Sequence, residues 1–175
     1  MRRLAALITL CCFFLWPGAS LADALEITLY SVSDQGIGDA IGTVQAEDTA
    51  KGLRINPSLQ GLEEGEHGFH LHAGSSCDVA PNADGVAVAA LAAGGHWDPD
   101  NTNTHLGPYA DGHRGDLSRL VVDAKGNTST EVVAPRLKTS DLVGRALIVH
   151  VGGDTYSDTP PLGGGGARIA CGVAS

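Results

Sequence analysis

The chain reads as an all-β domain, an antiparallel sandwich or barrel, for two reasons. Short stretches rich in β-branched and aliphatic residues recur along it, and helical periodicity is scarce. Between those stretches stand Gly, Pro, Asp and Asn, which end strands and make turns. In chain order the expected strands are Ile27 to Val32, Ile41 to Glu47, Gly52 to Asn56, Gly68 to His72, Leu117 to Asp123, Thr128 to Ala134, Ala146 to Val151 and Ala167 to Val173.

What precedes the first strand is of another kind. Arg2 and Arg3 form a charged start, Leu4 to Trp16 an apolar run too short to span a bilayer, and Pro17-Gly18 break it. Ser20-Leu21-Ala22 offers small residues where a signal peptidase reads, so residues 1–22 are expected to be a cleaved secretory leader, with residues 23–175 as a single domain. Lipid attachment at Cys11 is disfavoured by the bulk of Leu10. Nothing after residue 23 is long and apolar enough for a transmembrane helix.

The leader carries two of the four cysteines. Cys77 and Cys171 remain, in a chain bound for a compartment where disulfides persist. Bridging them would close a loop spanning residues 77–171, worth roughly 4–5 kcal/mol on chain-entropy reasoning; the other reading is a pair of buried thiols. The whole chain carries a net charge of −9, and loss of Arg2 and Arg3 leaves nine basic against twenty acidic side chains, a net −11. Such a domain repels nucleic acid and anionic membranes, and no partner of either kind is expected.

Two long segments, Ala73 to Gly115 and Gly152 to Gly166, lack a strand pattern, apart from a short helical turn expected within Ala87 to Ala93. Loops of that length inside a compact domain are functional as a rule, and the first needs internal fasteners. Six of the seven histidines lie in or beside these loops at fixed spacings. His70 and His72 stand two apart on an expected strand, so both imidazoles face one way while Leu71 faces the apolar interior. With His96 and His150 they make four nitrogen donors, a favourable copper(II) set. His96, His105, His113 and Asp116 make three imidazoles and a carboxylate, the closed tetrahedral set of a structural zinc. Taken singly, each histidine has an ordinary alternative, a hydrogen-bonded core residue or a solvated loop residue. Taken together, eight donor places filled by seven residues require one ligand to be shared, and His96 is placed to use both ring nitrogens.

These residues and their surroundings resemble the copper–zinc superoxide dismutase family in its bacterial periplasmic branch. The resemblance covers residues 24–173 and rests on Glu66-His67-Gly68-Phe69-His70-Leu71-His72, Gly94-Gly95-His96-Trp97-Asp98-Pro99 and His105-Leu106-Gly107-Pro108. It continues through His113-Arg114-Gly115-Asp116-Leu117, Val149-His150-Val151-Gly152-Gly153-Asp154 and Gly163 to Gly172, with Arg168 and Cys171. It implies an eight-stranded antiparallel Greek-key β-barrel, immunoglobulin-like, with two long functional loops. It further implies one copper per subunit on His70, His72, His96 and His150, and one zinc on His96, His105, His113 and Asp116. Asp154 would link a copper histidine to a zinc histidine, Arg168 would receive the superoxide anion, and Cys77 and Cys171 would form the family disulfide. The implied activity is dismutation of superoxide to dioxygen and hydrogen peroxide in the periplasm, by alternate reduction and reoxidation of copper; His96 would also carry a proton for the product. Monomer and homodimer both remain open.

Residues outside that set also have expected parts. The glycines before Arg168 allow the backbone to bend close to the metals. His67, an odd number of residues from His70, is expected to hydrogen-bond loop to barrel, and Trp97 to pack in the core. No Lys or Arg lies between His72 and Arg114, where periplasmic relatives often carry a lysine, so weak electrostatic steering is expected. The rival reading is a non-catalytic periplasmic copper-binding or delivery protein on the same barrel; the full ligand set, Asp154 and Arg168 favour the enzyme.

Overall fold

The computed structural model describes residues 24–128 and 130–175. The expected leader, and Ser129 within the sixth expected strand, lie outside the described residues. The chain opens with a meander of β1 (Leu25–Ser33), β2 (Gly36–Thr49) and β3 (Gly52–Leu59). Alternation drives it: in β3, Leu53, Ile55, Pro57 and Leu59 are buried while their neighbours are not, as a sheet covered on one face requires.

There follow β4 (Gly65–His67), β5 (Phe69–His72), β6 (Ala80–Pro81), β7 (Ala87–Val88), β8 (Leu120–Val122), β9 (Val132–Ala134), β10 (Ala146–His150) and β11 (Arg168–Val173). One antiparallel sheet of seven strands has the order β5-β10-β11-β1-β2-β3-β9. A separate β4–β8 ladder lies between β5 and the end of β3. β4 runs on into β5, and β8 bridges from Val122 to Thr128, whose hydroxyl accepts from Leu59 N–H at 2.9 Å. Each of the eight expected strands has a counterpart among the described residues, seven in one curled antiparallel sheet and Leu117 to Asp123 in the β4–β8 ladder, with Thr128 to Ala134 reduced to Val132–Ala134. The connection from β9, beside β3, to β10, beside β5, carries the chain from one end of the sheet to the other, as a Greek key requires.

Local differences from expectation have local causes. The expected strand Gly68 to His72 is one residue shorter and separated from β4 at Gly68, whose N–H and C=O turn aside to Gly152 O (2.7 Å) and His150 N–H (2.8 Å). The stretch from Leu117 is extended in a ladder only at Leu120–Val122. Within Ala73 to Gly115 the two-residue strands β6 and β7 pair, and the helical turn is a 3₁₀ turn at Leu91–Ala93. A four-residue helix, α1 (Thr139–Leu142), was not anticipated; one turn is too short to display a period. No helix among the described residues is long and apolar enough to cross a membrane.

The core has two compartments, divided by β5, β10 and β11. Phe69, Leu71, Leu147 and Val149 face the main core with Ile27, Leu29, Val44 and Leu120. Their alternate neighbours Ala146, Ile148 and Cys171 face a smaller cluster under the long loop, with Val32, Cys77, Ala90 and Ala93. β5 and β10 are buried throughout, because a loop layer covers their outer face. That layer is fastened by main-chain bonds to β5: Trp97 N–H to Leu71 O and Leu71 N–H to Gly115 O, both 2.8 Å, and Gly115 N–H to Trp97 O at 2.9 Å. A disulfide between Cys77 and Cys171 secures it to β11.

Candidate metal centre

The period of two that sends Phe69 and Leu71 inward sends His70 and His72 into the covered space beneath the loop. β10 delivers His150 at its end, where the register slips between Val149 and His150 so that His150 opposes Arg168. A bulge there re-aims both side chains toward one space. The loop contributes the rest: isolated bridges set His96 against His72 and Asp116 against His70, and His113 N–H donates to Thr104 O at 2.9 Å, closing the turn that follows His105.

The result is two groups of donor atoms, within each of which all atoms lie within 4.8 Å of one another: His70, His72, His96 and His150, and then His96, His105, His113 and Asp116. His96 belongs to both. Every residue named as a ligand from the sequence thus lies in this cluster, and all are buried, His96 least so at 9% exposed.

Hydrogen bonds fix which nitrogen of each ring is free. His72 Nδ1 faces Gly94 O at 2.9 Å and His150 Nδ1 faces Gly166 O at 3.0 Å. A carbonyl only accepts, so each Nδ1 carries the proton and each Nε2 keeps its lone pair. Those two Nε2 atoms confront each other at 3.4 Å. Two acceptors in that position repel unless a cation lies between them. His70 donates from Nε2 to Asp154 Oδ2 at 2.7 Å, leaving Nδ1 buried without a partner. Three lone pairs thus converge with His96 on one space.

The second group converges on one oxygen. Asp116 Oδ1 lies 2.9 Å from His96 Nδ1, 3.0 Å from His105 Nδ1 and 3.3 Å from His113 Nδ1. A tetrahedral zinc with bonds of about 2.0–2.1 Å has ligand–ligand edges of about 3.3 Å, so these separations suit such an ion. The His105 approach lacks hydrogen-bond geometry, and that Nδ1 is a second buried nitrogen without a partner. Its other nitrogen donates to Asp154 Oδ1 at 2.8 Å. The side chains present therefore fit a pair of metal ions.

Electrostatics divide the cluster. Burial pulls His70 down to about 3 and His150 to about 4, and lowers His72 and His96 as well, so these rings stay neutral and available as donors. Burial opposes a charge on His105 too, but Asp116 and Asp154 outweigh it and hold its pKa up at about 9. Burial would raise both carboxyls, yet their hydrogen bonds from histidines keep Asp116 and Asp154 well below the usual carboxylate range. A cation entering beside His105 displaces a proton.

A cavity of about 250 Å³ opens onto His72, His96 and His150, with Arg168 on its wall and Leu162 and Pro161 at its lip. Arg168 is half-buried and donates to Ala90 O at 2.5 Å and Gly94 O at 2.6 Å, which fixes a cationic head beside the copper-type group. The glycines before it allow close approach: a Cβ on Gly165 would lie 3.1 Å from His150 Cβ, and one on Gly163, itself at φ 73°, would collide with Asp154 and His105. His67 is buried, its ring nitrogens 2.7 Å from His150 O and 2.9 Å from Glu63 O, so it ties loop to sheet. Trp97 is only partly buried against the core, with Arg145 over its ring at 4.3 Å.

Sequence reasoning passed over Arg119, Tyr156 and Arg136. Arg119 donates from Nη1 to Asp154 O and from its main chain to Tyr156 OH, both at 3.0 Å, holding the segment that presents Asp154. Arg136 reaches the loop between His105 and His113. Both arginines act on main-chain atoms across long sequence separations, and no local spacing signals that.

The family described as copper/zinc superoxide dismutase matches residues 40–174. Superoxide dismutase (Cu-Zn) 2 of Salmonella typhimurium is 52% identical over 176 residues, covering 99% of this chain and 99% of that protein. Among solved structures, the Cu/Zn superoxide dismutase from Brucella abortus superimposes with a TM-score of 0.85 at 49% identity, over 87% of this chain and 100% of its own. The monomeric copper, zinc superoxide dismutase from Salmonella enterica gives 0.77 at 52%, over 87% of this chain and 99% of its own. Half of all positions shared from end to end, on the same curled sheet, place this chain in the copper/zinc superoxide dismutase family.

Proposed function

We propose that the chain dismutates superoxide to dioxygen and hydrogen peroxide, with copper held by His70, His72, His96 and His150 and zinc by His96, His105, His113 and Asp116. The observation that carries this reading is the single imidazole, His96, common to two donor groups of different chemistry. Bound copper supplies the one-electron couple by which one superoxide is oxidised and the next reduced.

The chain's own residues do the remaining work. Arg168, pinned by two carbonyls, presents N–H donors and charge to a small anion at the cavity wall. With Nδ1 of His96 directed at Asp116, its Nε2 is the nitrogen left to the cavity side, and we assign to that atom the proton delivered to the peroxide product. On its other side Nδ1 of the same ring faces Asp116 at 2.9 Å, the position at which zinc would hold it. Asp154 orients His70 and His105 together.

Loading the purified protein with copper and zinc and assaying superoxide loss tests this. Activity must appear with copper and vanish in His150→Ala. An anomalous-scattering map with no pair of ions flanking residue 96 would overturn the ligand assignment. A copper carrier on the same barrel would have no use for Arg168 beside the cavity, and the complete set favours turnover. We further infer that residues 1–22 direct export to the periplasm, with residues 23–175 as the mature domain. We infer also that this domain is a monomer, like the Salmonella enterica relative. Amino-terminal sequencing and a sizing column check each.

A further inference from the structure

Arg136 lies two residues beyond β9 and contributes nothing to the donor cluster. Its guanidinium nonetheless donates to four main-chain carbonyls of one loop. Nη1 reaches Gly112 O at 2.8 Å, Nη2 reaches His113 O at 2.8 Å and Gly107 O at 3.4 Å, and Nε reaches Pro108 O at 3.4 Å. All four accepting residues are buried. Among the described residues, no main-chain donor reaches the carbonyls of Gly107, Pro108 or Gly112, and no carboxylate lies within ion-pair distance of Arg136. This arginine is therefore neither a surface charge nor half of a salt bridge.

The loop it fills is the turn between His105 and His113, closed at the neck by His113 N–H to Thr104 O. A turn of seven residues containing Gly107, Pro108 and Gly112, with few internal bonds, has no stiffness of its own. The separation of the two histidines is set by whatever occupies its interior. A planar fork with several N–H groups can satisfy convergent carbonyls at once; a lysine ammonium offers one point instead.

We propose that Arg136 is a positioning residue for the zinc centre, fixing the His105–His113 turn through its carbonyls while leaving the copper-side group untouched. The inference rests on the zinc assignment proposed above. Selectivity follows from the contacts: His72 and His150 are oriented by Gly94 O and Gly166 O, and Arg136 touches neither. Removal of the side chain need not unfold the domain. A cavity of about 490 Å³, lined by Asp100, Thr102, Asp111, Gly112 and Arg114, opens onto Arg136, so water can take the place of the side chain beginning at Gly112. What is lost is the order of the turn.

The test uses the full mature chain with both metals, comparing Arg136→Met and Arg136→Lys with the unaltered protein. Zinc affinity is measured by chelator competition, copper affinity in the same way, and cobalt(II) in place of zinc reports ligand geometry through its visible spectrum. Zinc should bind about tenfold or more weakly in Arg136→Met, the usual scale for loss of an outer partner. Arg136→Lys should recover only part of that, the cobalt spectrum should change, and copper affinity should stay within about twofold. Zinc retention equal to the unaltered protein, or equal loss of both metals, overturns the proposal. Failure of the unaltered chain to take up zinc at all would instead sink the site assignment on which it stands.

Discussion

Asp154 is the residue on which the two donor groups depend jointly. Its two oxygens accept from His70 Nε2 and His105 Nε2, so one carboxylate chooses the free nitrogen on each side. Replacing it by Asn leaves one oxygen for two donors and turns an N–H against one ring. Asp154→Asn should weaken both metals by about 10–100-fold, as followed by chelator competition; loss of only one metal would contradict the shared role. Much at this scale was legible. Six histidines in two spacings, and more donor places than donors, are visible without coordinates. The free nitrogen of each ring was not, because Gly94 O, Gly166 O and Asp154 choose it from distant parts of the chain. Arg136 was hidden for the same reason, since a side chain that serves carbonyls leaves no pattern of residue types.

Among the elements, the site depends on how one loop lies on one strand. Trp97, Leu71 and Gly115 are joined by a closed circuit of main-chain bonds, and the flanking residues His96, His70, His72 and Asp116 are placed by it. Gly115 is required there by space. A Cβ would meet Leu71 O and lie 2.7 Å from Trp97 N. Gly115→Ala should destabilise the protein by about 1–3 kcal/mol, read from the denaturant midpoint, and should lower the affinity for both metals because His96 serves both. An alanine variant with unchanged midpoint would mean that the loop yields freely. The strands were readable from alternation because each exposes one face. The β6–β7 ladder and α1, of two and four residues, are too short to carry a period, and the interruption at Gly68 follows from hydrogen bonds to β10 and its following loop.

At the scale of the whole molecule, charge decides two behaviours. The metal-free protein should be most stable near pH 6.5. Below that value an unfolded chain takes up protons that buried His70 and His150, lowered to about 3 and about 4, refuse, so stability falls as pH drops from 6.5 toward 4. Above it His105, held up at about 9, keeps a proton that the unfolded chain has lost. That contribution is complete below 6.5 and disappears as pH rises through 9. Denaturant midpoints at pH 5, 6.5 and 8.5 check both slopes, and a monotonic profile would refute the paired assignment. The second behaviour concerns encounter with the substrate. An acidic surface repels superoxide, no Lys or Arg between His72 and Arg114 offsets it, and Arg168 is the cationic side chain that lines the cavity. Raising salt from about 10 to 150 mM should change the rate by less than about twofold, whereas a steep fall would reveal steering from elsewhere.

The bond between Cys77 and Cys171 has a consequence for where the enzyme can work. It fastens the segment whose carbonyls, on Ala90 and Gly94, hold the Arg168 guanidinium, while most of the histidines are anchored by other means. Reduction of that bond would loosen this segment, and with it both the Arg168 guanidinium and the His72 ring that Gly94 O orients. The cationic receptor for a small anion thus leans on a bond of the kind that persists where thiols are oxidised.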